Sequence, residues 1–266
     1  MNTNNFNSSK TALITGASSG IGYELAKIFA NRGYDLVLIA RNEQKLSRVA
    51  DEFQEKFGTL ARIIVEDLSI PNAPTKIFQK LQQDAIAIDV LVNNAGFAAY
   101  GFFWETDLDA ELQMMQVNMV ALTHLTKLFL KEMVARGQGK ILNIASTAVF
   151  QPGPLMAVYY ATKAYVLSFS EALANELQGT GVTVTALCPG PTESGFQARA
   201  NIERSKLVSG KRIMDAKTVA EIGYRGLMNN QTVVVPGLKN KLLTLSVRFT
   251  PRNLVTKIVR SMQERI

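Results

Sequence analysis

The chain has 266 residues, of which 47% are hydrophobic and 19% charged, so it is long enough to bury the core of one sizeable domain. Its single cysteine, Cys188, excludes an internal disulfide and fits a cytoplasmic protein, and no apolar stretch reaches the roughly 18 residues of a membrane span. The net charge of +7 lies almost entirely in residues 237–266, which hold seven lysines and arginines against one glutamate. Because no recognition motif accompanies this charge, nucleic-acid binding is not expected.

Short apolar runs alternate with segments of helical pattern after a polar arm, residues 1–10, which we expect to be flexible and which lacks the apolar run of a secretory signal. The apolar runs are almost continuously hydrophobic, which is typical of parallel strands covered on both faces. The alternation predicts one α/β domain over 11–236, a doubly wound, Rossmann-like parallel sheet that binds ligands at the carboxyl ends of its strands. Strands are predicted at 11–15, 35–40, 61–66, 89–94, 140–146, 182–188 and 232–236, and helices at 20–32, 42–57, 71–83, 108–136 and 156–178, with Asn42 as an N-cap.

The first predicted strand runs directly into the sequence TGASSGIG, residues 15–22, which opens a helix. Gly16, Gly20 and Gly22 allow a tight turn and a close approach of the backbone to a ligand. The helix that follows offers unpaired N–H groups to a pyrophosphate. The spacing differs from G-x-G-x-x-G, so a turn without a ligand is the alternative interpretation.

The end of the second strand indicates which dinucleotide the loop would bind. A carboxylate is common there in proteins that bind the free ribose hydroxyl of NAD(H), but this chain has Ala40 followed by Arg41. A guanidinium pairs well with a phosphate, so the sequence favours NADP(H). The alternative is that Arg41 only solvates the start of the next helix.

The fragment YYATK, residues 159–163, places two tyrosines within reach of Lys163 on a predicted helix. Tyr159 is four residues from the lysine and Tyr160 three, so helical geometry alone does not choose between them. A free phenol has a pKa of about 10, and a neighbouring ammonium is expected to lower it toward the working range of a general acid. The pair alone is weak evidence, because such pairs occur by chance on many helices.

The sequence resembles the classical short-chain dehydrogenases/reductases in several motifs that occur in the same order. The glycine loop, NNAG at 93–96, Ser146 placed 13 residues before Tyr159, Tyr159-x-x-x-Lys163 and Pro189-Gly190 all match. The resemblance covers about 11–236. It implies an enzyme that transfers a hydride between a nicotinamide cofactor and a carbonyl or alcohol, without a metal, and that assembles as a homo-dimer or tetramer.

The resemblance implies a role for each matching residue. Tyr159, rather than Tyr160, would exchange a proton with the substrate oxygen, and Lys163 would lower the Tyr159 pKa and bind the nicotinamide ribose. Ser146 would bind the substrate carbonyl, and Asn118 would hold a water that links Lys163 to solvent. The cofactor-binding residues would be Gly16, Ser18, Ser19, Gly20, Ile21, Gly22, Arg41, Asp67, Leu68, Asn94, Ala95, Gly96, Tyr159, Lys163, Pro189, Gly190 and Thr192.

Two irregular regions are expected to determine what the protein acts on. Residues 189–217 match the substrate lid of the family, and Phe196, Ile202 and Leu207 would cover an apolar ligand there. With the basic tail, this favours a hydrophobic ketone such as a fatty 3-oxoacyl thioester or a steroid-like compound. A non-catalytic NADP(H)-binding regulator is the main alternative, and an epimerase or dehydratase is disfavoured by length and glycine spacing.

The tail, residues 237–266, carries apolar side chains at helical spacing beside its cations. Thr250 and Pro251 are predicted to cap and begin its last helix. Basic amphipathic helices bind anionic membranes peripherally, and they also dock on acidic carrier proteins or partner subunits. The simpler interpretation is a helix packed on its own domain with a solvated basic face. The apolar side chains fall into two stripes: Leu238, Leu242, Leu245 and Phe249, then Leu254, Val255, Ile258, Val259, Met262 and Ile266.

Overall fold

The computed structural model describes residues 10–196, 200, 205–206 and 213–264. Its centre is a seven-stranded sheet in the order β3-β2-β1-β4-β5-β6-β9, with every neighbouring pair parallel. All seven predicted strands are present, with ends that differ by at most two residues. The strands are β1 (Thr11–Thr15), β2 (Asp35–Ala40), β3 (Ala61–Val65), β4 (Val90–Asn93), β5 (Gly139–Ile144), β6 (Val182–Leu187) and β9 (Val233–Val234); β7 (Thr192–Glu193) pairs with β8 (Met214–Asp215) in a separate ladder.

Helices cover both faces of the sheet. Successive residues of β1 point to opposite sides, so Ala12 and Ile14 join one apolar core cluster while Leu13 joins the other. This two-sided burial confirms the doubly wound, Rossmann-like architecture. The helices are α1 (Gly20–Asn31), α2 (Glu43–Phe57), α3 (Ala73–Gln83), α4 (Leu108–Met115), α5 (Leu122–Arg136), α6 (Ala157–Glu176), α7 (Ala216–Met228), α8 (Leu238–Ser246) and α9 (Arg252–Gln263).

Two helix N-termini test the capping residues predicted from the sequence. Asn42 caps α2 as predicted, because its side-chain oxygen accepts a hydrogen bond of 2.8 Å from the Lys45 amide. The cap predicted at Thr250 is wrong: Pro251 takes the N-cap position of α9, and the Thr250 hydroxyl instead donates to the Ser246 carbonyl oxygen at 2.9 Å. The Thr250 hydroxyl therefore belongs to the preceding turn.

The helix predicted over 108–136 is not continuous. A π-helical turn, Gln116–Ala121, separates α4 from α5 and contains Asn118. A single widened turn leaves the apolar pattern almost unchanged, so the sequence gives no sign of it. Such turns are frequent at functional sites because they reorient one side chain.

The two halves of the tail pack differently. Helix α9 buries Val255, Val259 and Gln263 against the domain, whereas α8 has no buried residue. Leu254 and Ile258, predicted on the same apolar face as Val255, are about half exposed. Among the described helices, none combines the length and apolarity that crossing a bilayer requires.

Candidate active site

A cavity of about 400 Å³ opens at the carboxyl ends of the central strands. This is the edge where a doubly wound sheet binds its ligands. Of the predicted site residues, Gly22 and Asn118 alone are not on its wall. The cavity brings together Gly16, Ser18, Ser19, Gly20, Ile21, Arg41, Asp67, Leu68, Asn94, Ala95, Gly96, Ser146, Tyr159, Lys163, Pro189, Gly190 and Thr192.

The glycine loop is built for close packing of backbone on backbone. Gly16 has a φ of 66° and Gly20 a φ of 57°, a region that favours glycine. Gly22 lies behind the loop, where a Cβ would overlap the Gly16 carbonyl oxygen and the Asn94 side-chain nitrogen. Asn94, which follows β4, holds the start of the loop by donating to the Thr15 carbonyl oxygen at 2.9 Å and to the Gly16 carbonyl oxygen at 3.3 Å. The Ser19 side chain makes no capping bond to α1, so the first-turn N–H groups have no capping side chain.

The end of β2 places a cation at the rim of the cavity. Arg41 Nη1 lies 3.6 Å from Asp67 Oδ2, and the Arg41 side chain remains 70% exposed. Lys45, from the first turn of α2, lines the same part of the cavity. Burial raises the pKa of the Asp67 carboxyl, but hydrogen bonds from Ser69 and the charge of Arg41 outweigh it and lower the pKa overall.

Tyr159 and Lys163 project from α6 into the cavity, near the end of β5. The Lys163 Nζ donates to the Ile144 carbonyl oxygen at 2.7 Å and lies 5.9 Å from the centre of the Tyr159 ring. Ser146 follows β5, and its hydroxyl accepts a hydrogen bond of 3.1 Å from the Ala148 amide. All three side chains line the one cavity.

The expected effect of Lys163 on Tyr159 is not what the structure gives. Burial raises the pKa of the Tyr159 phenol above its ordinary value, and a hydrogen bond with Ser146 offsets this only in part. Burial also lowers the pKa of the Lys163 ammonium to about 8. The expected lowering of the Tyr159 pKa was wrong because it counted the charge of the lysine but not the burial of the pair. The phenol is therefore protonated at neutral pH.

Asn118 holds the loop after β4 against α6. Its Oδ1 accepts from the Phe97 amide at 3.2 Å, and its Nδ2 donates to the Phe97 carbonyl oxygen at 3.0 Å and to Thr162 Oγ1 at 3.1 Å. A Cβ at Gly96 would lie 3.0 Å from Asn118 Oδ1 and 3.5 Å from Lys163 Nζ. The π-helical turn thus brings Asn118 beside the lysine, although it lies behind the cavity wall.

Other residues of the cavity were not predicted from the sequence. Of the three apolar lid residues named above, Phe196 alone is described, and it packs on Tyr159 with ring centres 5.6 Å apart. Ile202 and Leu207 lie outside the described residues. Trp104 is 77% exposed, so it belongs to neither the cleft nor the core. The cavity wall also includes Phe97, Gln113, Val117, Gln151, Met156, Tyr160 and Gln263, of which only Tyr160 was considered from the sequence.

Comparisons with known proteins bear on this geometry. The family model described as short chain dehydrogenase matches residues 10–205. A short chain dehydrogenase of Pseudocercospora fijiensis is 37% identical over 71% of this chain, which covers only 62% of that protein. A very-long-chain 3-oxoacyl-CoA reductase of Anas platyrhynchos is 36% identical over 96% of this chain and 81% of its own length.

A solved structure of the same family is similar to this chain in sequence and in fold. The short-chain dehydrogenase from Sphingobium yanoikuyae in complex with NADPH superimposes with a TM-score of 0.81 at 33% identity, covering 90% of this chain and 93% of that one. The family match spans most of the described domain and includes the glycine loop, Ser146, Tyr159 and Lys163. The chain belongs to the short-chain dehydrogenase family of oxidoreductases.

Proposed function

We propose that this protein is an NADP(H)-dependent reductase of a bulky, largely apolar ketone, with Tyr159 as its general acid. The observation that carries the proposal is that Tyr159, Ser146 and Lys163 line the same cavity as the glycine loop. When bound there, the dinucleotide would supply the hydride. A protein that only binds the dinucleotide has no need for a phenol, a hydroxyl and an ammonium at one end of the cavity, so the geometry favours an enzyme.

The chain's own residues would then act on the substrate oxygen. Ser146 would donate a hydrogen bond to the carbonyl, and Tyr159 would deliver its proton to the oxygen as negative charge develops there. A phenol that stays protonated at neutral pH suits this role as the proton donor. Lys163 would bind the nicotinamide ribose and return a proton to Tyr159, with Asn118 and its water linking the lysine to solvent.

The proposed residues for the dinucleotide follow the cavity from rim to centre. The start of α1, with Gly16, Ser18, Ser19, Gly20 and Ile21, would hold the pyrophosphate, and Gly22 would hold the loop in shape. Asp67 and Leu68 would border the adenine. The remaining wall of the nicotinamide end would be Asn94, Ala95, Gly96, Pro189, Gly190 and Thr192.

The apolar end of the cavity supports a hydrophobic substrate. Met156, Phe196 and the Tyr159 ring belong to one apolar cluster that α9 covers with Val255 and Val259. The duck relative is named for acting on a 3-oxoacyl-CoA, which fits such a surface. A panel of fatty 3-oxoacyl thioesters, steroid-like ketones and sugars, followed by loss of NADPH absorbance, tests the proposal; turnover of sugars alone would contradict it.

We expect Arg41 to carry the preference for NADP(H). In Arg41→Ala, the Kd for NADPH should rise by about tenfold or more, because a charge-assisted bond to the 2′-phosphate contributes about 1.5–3 kcal/mol. The Kd for NADH should change little, since NADH lacks that phosphate. Calorimetric titration of both cofactors checks this, with the exposed Arg48 of α2, which is not on the cavity wall, changed to alanine as the matched control. A wild-type protein that binds NADH more tightly would overturn the assignment.

We also propose that α8 and the turn after it contact an anionic lipid surface. Leu238 is 72% exposed and Phe249 82%, with Leu242 and Leu245 exposed between them. The described cations beside them, Lys239, Lys241, Arg248, Arg252 and Lys257, are also exposed, and each would add about 1 kcal/mol near such a surface. The simpler interpretation of the tail, a helix packed on its own domain, accounts for α9. It does not account for the exposed apolar side chains of α8.

Vesicle co-sedimentation of the full chain tests this contact. The wild type should sediment with phosphatidylserine-containing vesicles and not with neutral ones, whereas Leu242→Asp/Phe249→Asp should stay in solution. Ile70→Asp adds one carboxylate at an exposed position between β3 and α3, on the opposite sheet edge, and should bind like the wild type. Equal binding by all three proteins, or none by the wild type, would refute the proposal.

A further inference from the structure

The last described turn of the chain reaches into the candidate active site. Gln263, at the end of α9, is only 1% exposed and lines the cavity. Its Nε2 donates a hydrogen bond of 2.6 Å to the Tyr160 hydroxyl, and its carbonyl oxygen accepts one of 2.7 Å from the Tyr100 hydroxyl. The side chain and the backbone of Gln263 are therefore both held in place.

One polar atom of this arrangement has no partner. Gln263 Oε1 is buried and accepts no hydrogen bond from the residues that the structure describes. Burying a carbonyl acceptor without a donor is costly, and natural proteins usually pair such atoms. Because Gln263 lines the cavity, a bound molecule that offers a donor would satisfy its oxygen.

The surroundings restrict what that donor can be. Met156, Phe196 and the rings of Tyr159 and Tyr160 form the neighbouring apolar cluster, and Lys163 is the only charged side chain described near the tyrosines in the cavity. A carboxylate would bring another acceptor to Oε1, and an ammonium would bury its charge among apolar groups. A neutral hydroxyl or amide N–H meets neither objection.

Nε2 of Gln263 bonds to the Tyr160 hydroxyl, which leaves Oε1 as the unpaired end of the amide. The Tyr159 and Tyr160 ring centres lie 6.0 Å apart, so the subsite adjoins the proposed general acid. Burial raises the pKa of Tyr160 to about 12, so this side chain is uncharged across the neutral range.

We infer that Gln263, positioned by Tyr160, forms a subsite that selects ketones carrying a neutral hydroxyl or amide N–H a few bonds from the carbonyl. The inference rests on the proposed function and narrows its substrate class. Free keto acids and plain hydrocarbon ketones would be poor substrates. Hydroxylated polycyclic ketones and 3-oxoacyl thioesters with an amide in the thiol portion would be good ones.

Matched substrate pairs test the subsite. One pair is a 3-oxoacyl thioester of N-acetylcysteamine and its N-methylated amide, which lacks the donor; the other is a hydroxylated polycyclic ketone and its deoxy analogue. We expect kcat/KM to favour the donor-bearing member of at least one pair by about tenfold or more. The preferred pair identifies which donor the subsite binds. Equal kcat/KM within both pairs would overturn the inference.

Variants separate this role from a structural one. Gln263→Met keeps the length of the side chain and removes the amide, so the ratio of kcat/KM within the preferred pair should fall to about one. A general packing defect would instead lower kcat/KM equally for both substrates of the pair and leave their ratio unchanged. Gln113→Met changes another glutamine on the cavity wall, exposed on α4, and should retain the wild-type ratio. A preference that survives in Gln263→Met would contradict the assignment.

The outcome also distinguishes the two proposals. If the wild type reduces the donor-free ketones but shows no preference, the proposed function stands and the subsite fails. If no ketone is reduced, the proposed function fails, and calorimetric binding of the hydroxylated and deoxy ketones to wild type and Gln263→Met decides the subsite. A tighter hydroxylated ligand in the wild type alone would support it, and equal binding would refute it.

Discussion

Replacing Tyr159 by phenylalanine should lower kcat for ketone reduction by about 10²- to 10⁴-fold, the usual contribution of a positioned general acid. The substitution removes one hydroxyl from a side chain that is 8% exposed and keeps the ring packed on Phe196. The affinity for NADPH should therefore change little. Stopped-flow measurement of kcat together with calorimetric titration of NADPH separates the two effects.

Two further tyrosines provide controls for this experiment. Tyr165 lies on the same helix, is partly exposed and is hydrogen bonded to Thr123, so Tyr165→Phe should retain wild-type turnover. Tyr160→Phe should alter substrate preference and cost less in kcat than Tyr159→Phe. If Tyr160→Phe abolishes turnover while Tyr159→Phe retains it, the acid has been assigned to the wrong tyrosine.

The second large effect is expected at Lys163. Lys163→Met should lower kcat by about a hundredfold or more, because it removes the ammonium that would return a proton to Tyr159 and bind the ribose. The same change should alter how stability depends on pH. Both results follow from an ammonium that is 6% exposed and donates a hydrogen bond to the Ile144 carbonyl oxygen.

The stability of the wild type should rise with pH because burial lowers the pKa of Lys163. The pKa of Lys163 is about 8 in the folded protein and 10.5 when the side chain is free. Below about pH 8 the buried lysine is charged, and the whole cost of burying that charge then lowers the stability of the fold. Between about pH 8 and 10 the unfolded chain keeps the proton while the folded protein loses it, so wild-type stability should rise with pH. The gain over that window is on the order of 2–3 kcal/mol.

Urea unfolding at a series of pH values measures this difference. The loss of the bond to Ile144 in Lys163→Met shifts stability by a similar amount at every pH, so the slope is the readout and not the absolute value. The variant should lack the rise between pH 8 and 10 that the wild type shows. Parallel curves for the two proteins would mean that Lys163 is not held at a lowered pKa.

Much of the fold and of the site was predictable because the signals are local. Each strand is a short apolar run between turn residues, and β1 with its glycine loop lies within twelve residues of sequence. Motifs at the carboxyl ends of different strands meet because the sheet is parallel. The order of the motifs therefore predicts that Ser146, Asn94 and Gly96 lie together, and all three line the one cavity.

The remaining features depend on packing that no local pattern reports. Gln263 meets Tyr160 across 103 residues of sequence, and only the docking of α9 brings them together. The raised pKa of Tyr159 and the lowered pKa of Lys163 come from burial, which the spacing of the two residues does not express. The π-helical turn at Asn118 widens one turn without changing the apolar pattern around it.

Deuterium transfer from NADPH that carries deuterium at both C4 positions of the nicotinamide tests the account most directly, using the ketones of the panel and mass spectrometry of the alcohols formed. If a nicotinamide ring and a protonated Tyr159 act together in this cavity, the label will appear at the carbinol carbon with the wild type and almost vanish with Tyr159→Phe. Saturable NADPH binding with no label in any product would contradict the account and favour a protein that binds the dinucleotide without using it.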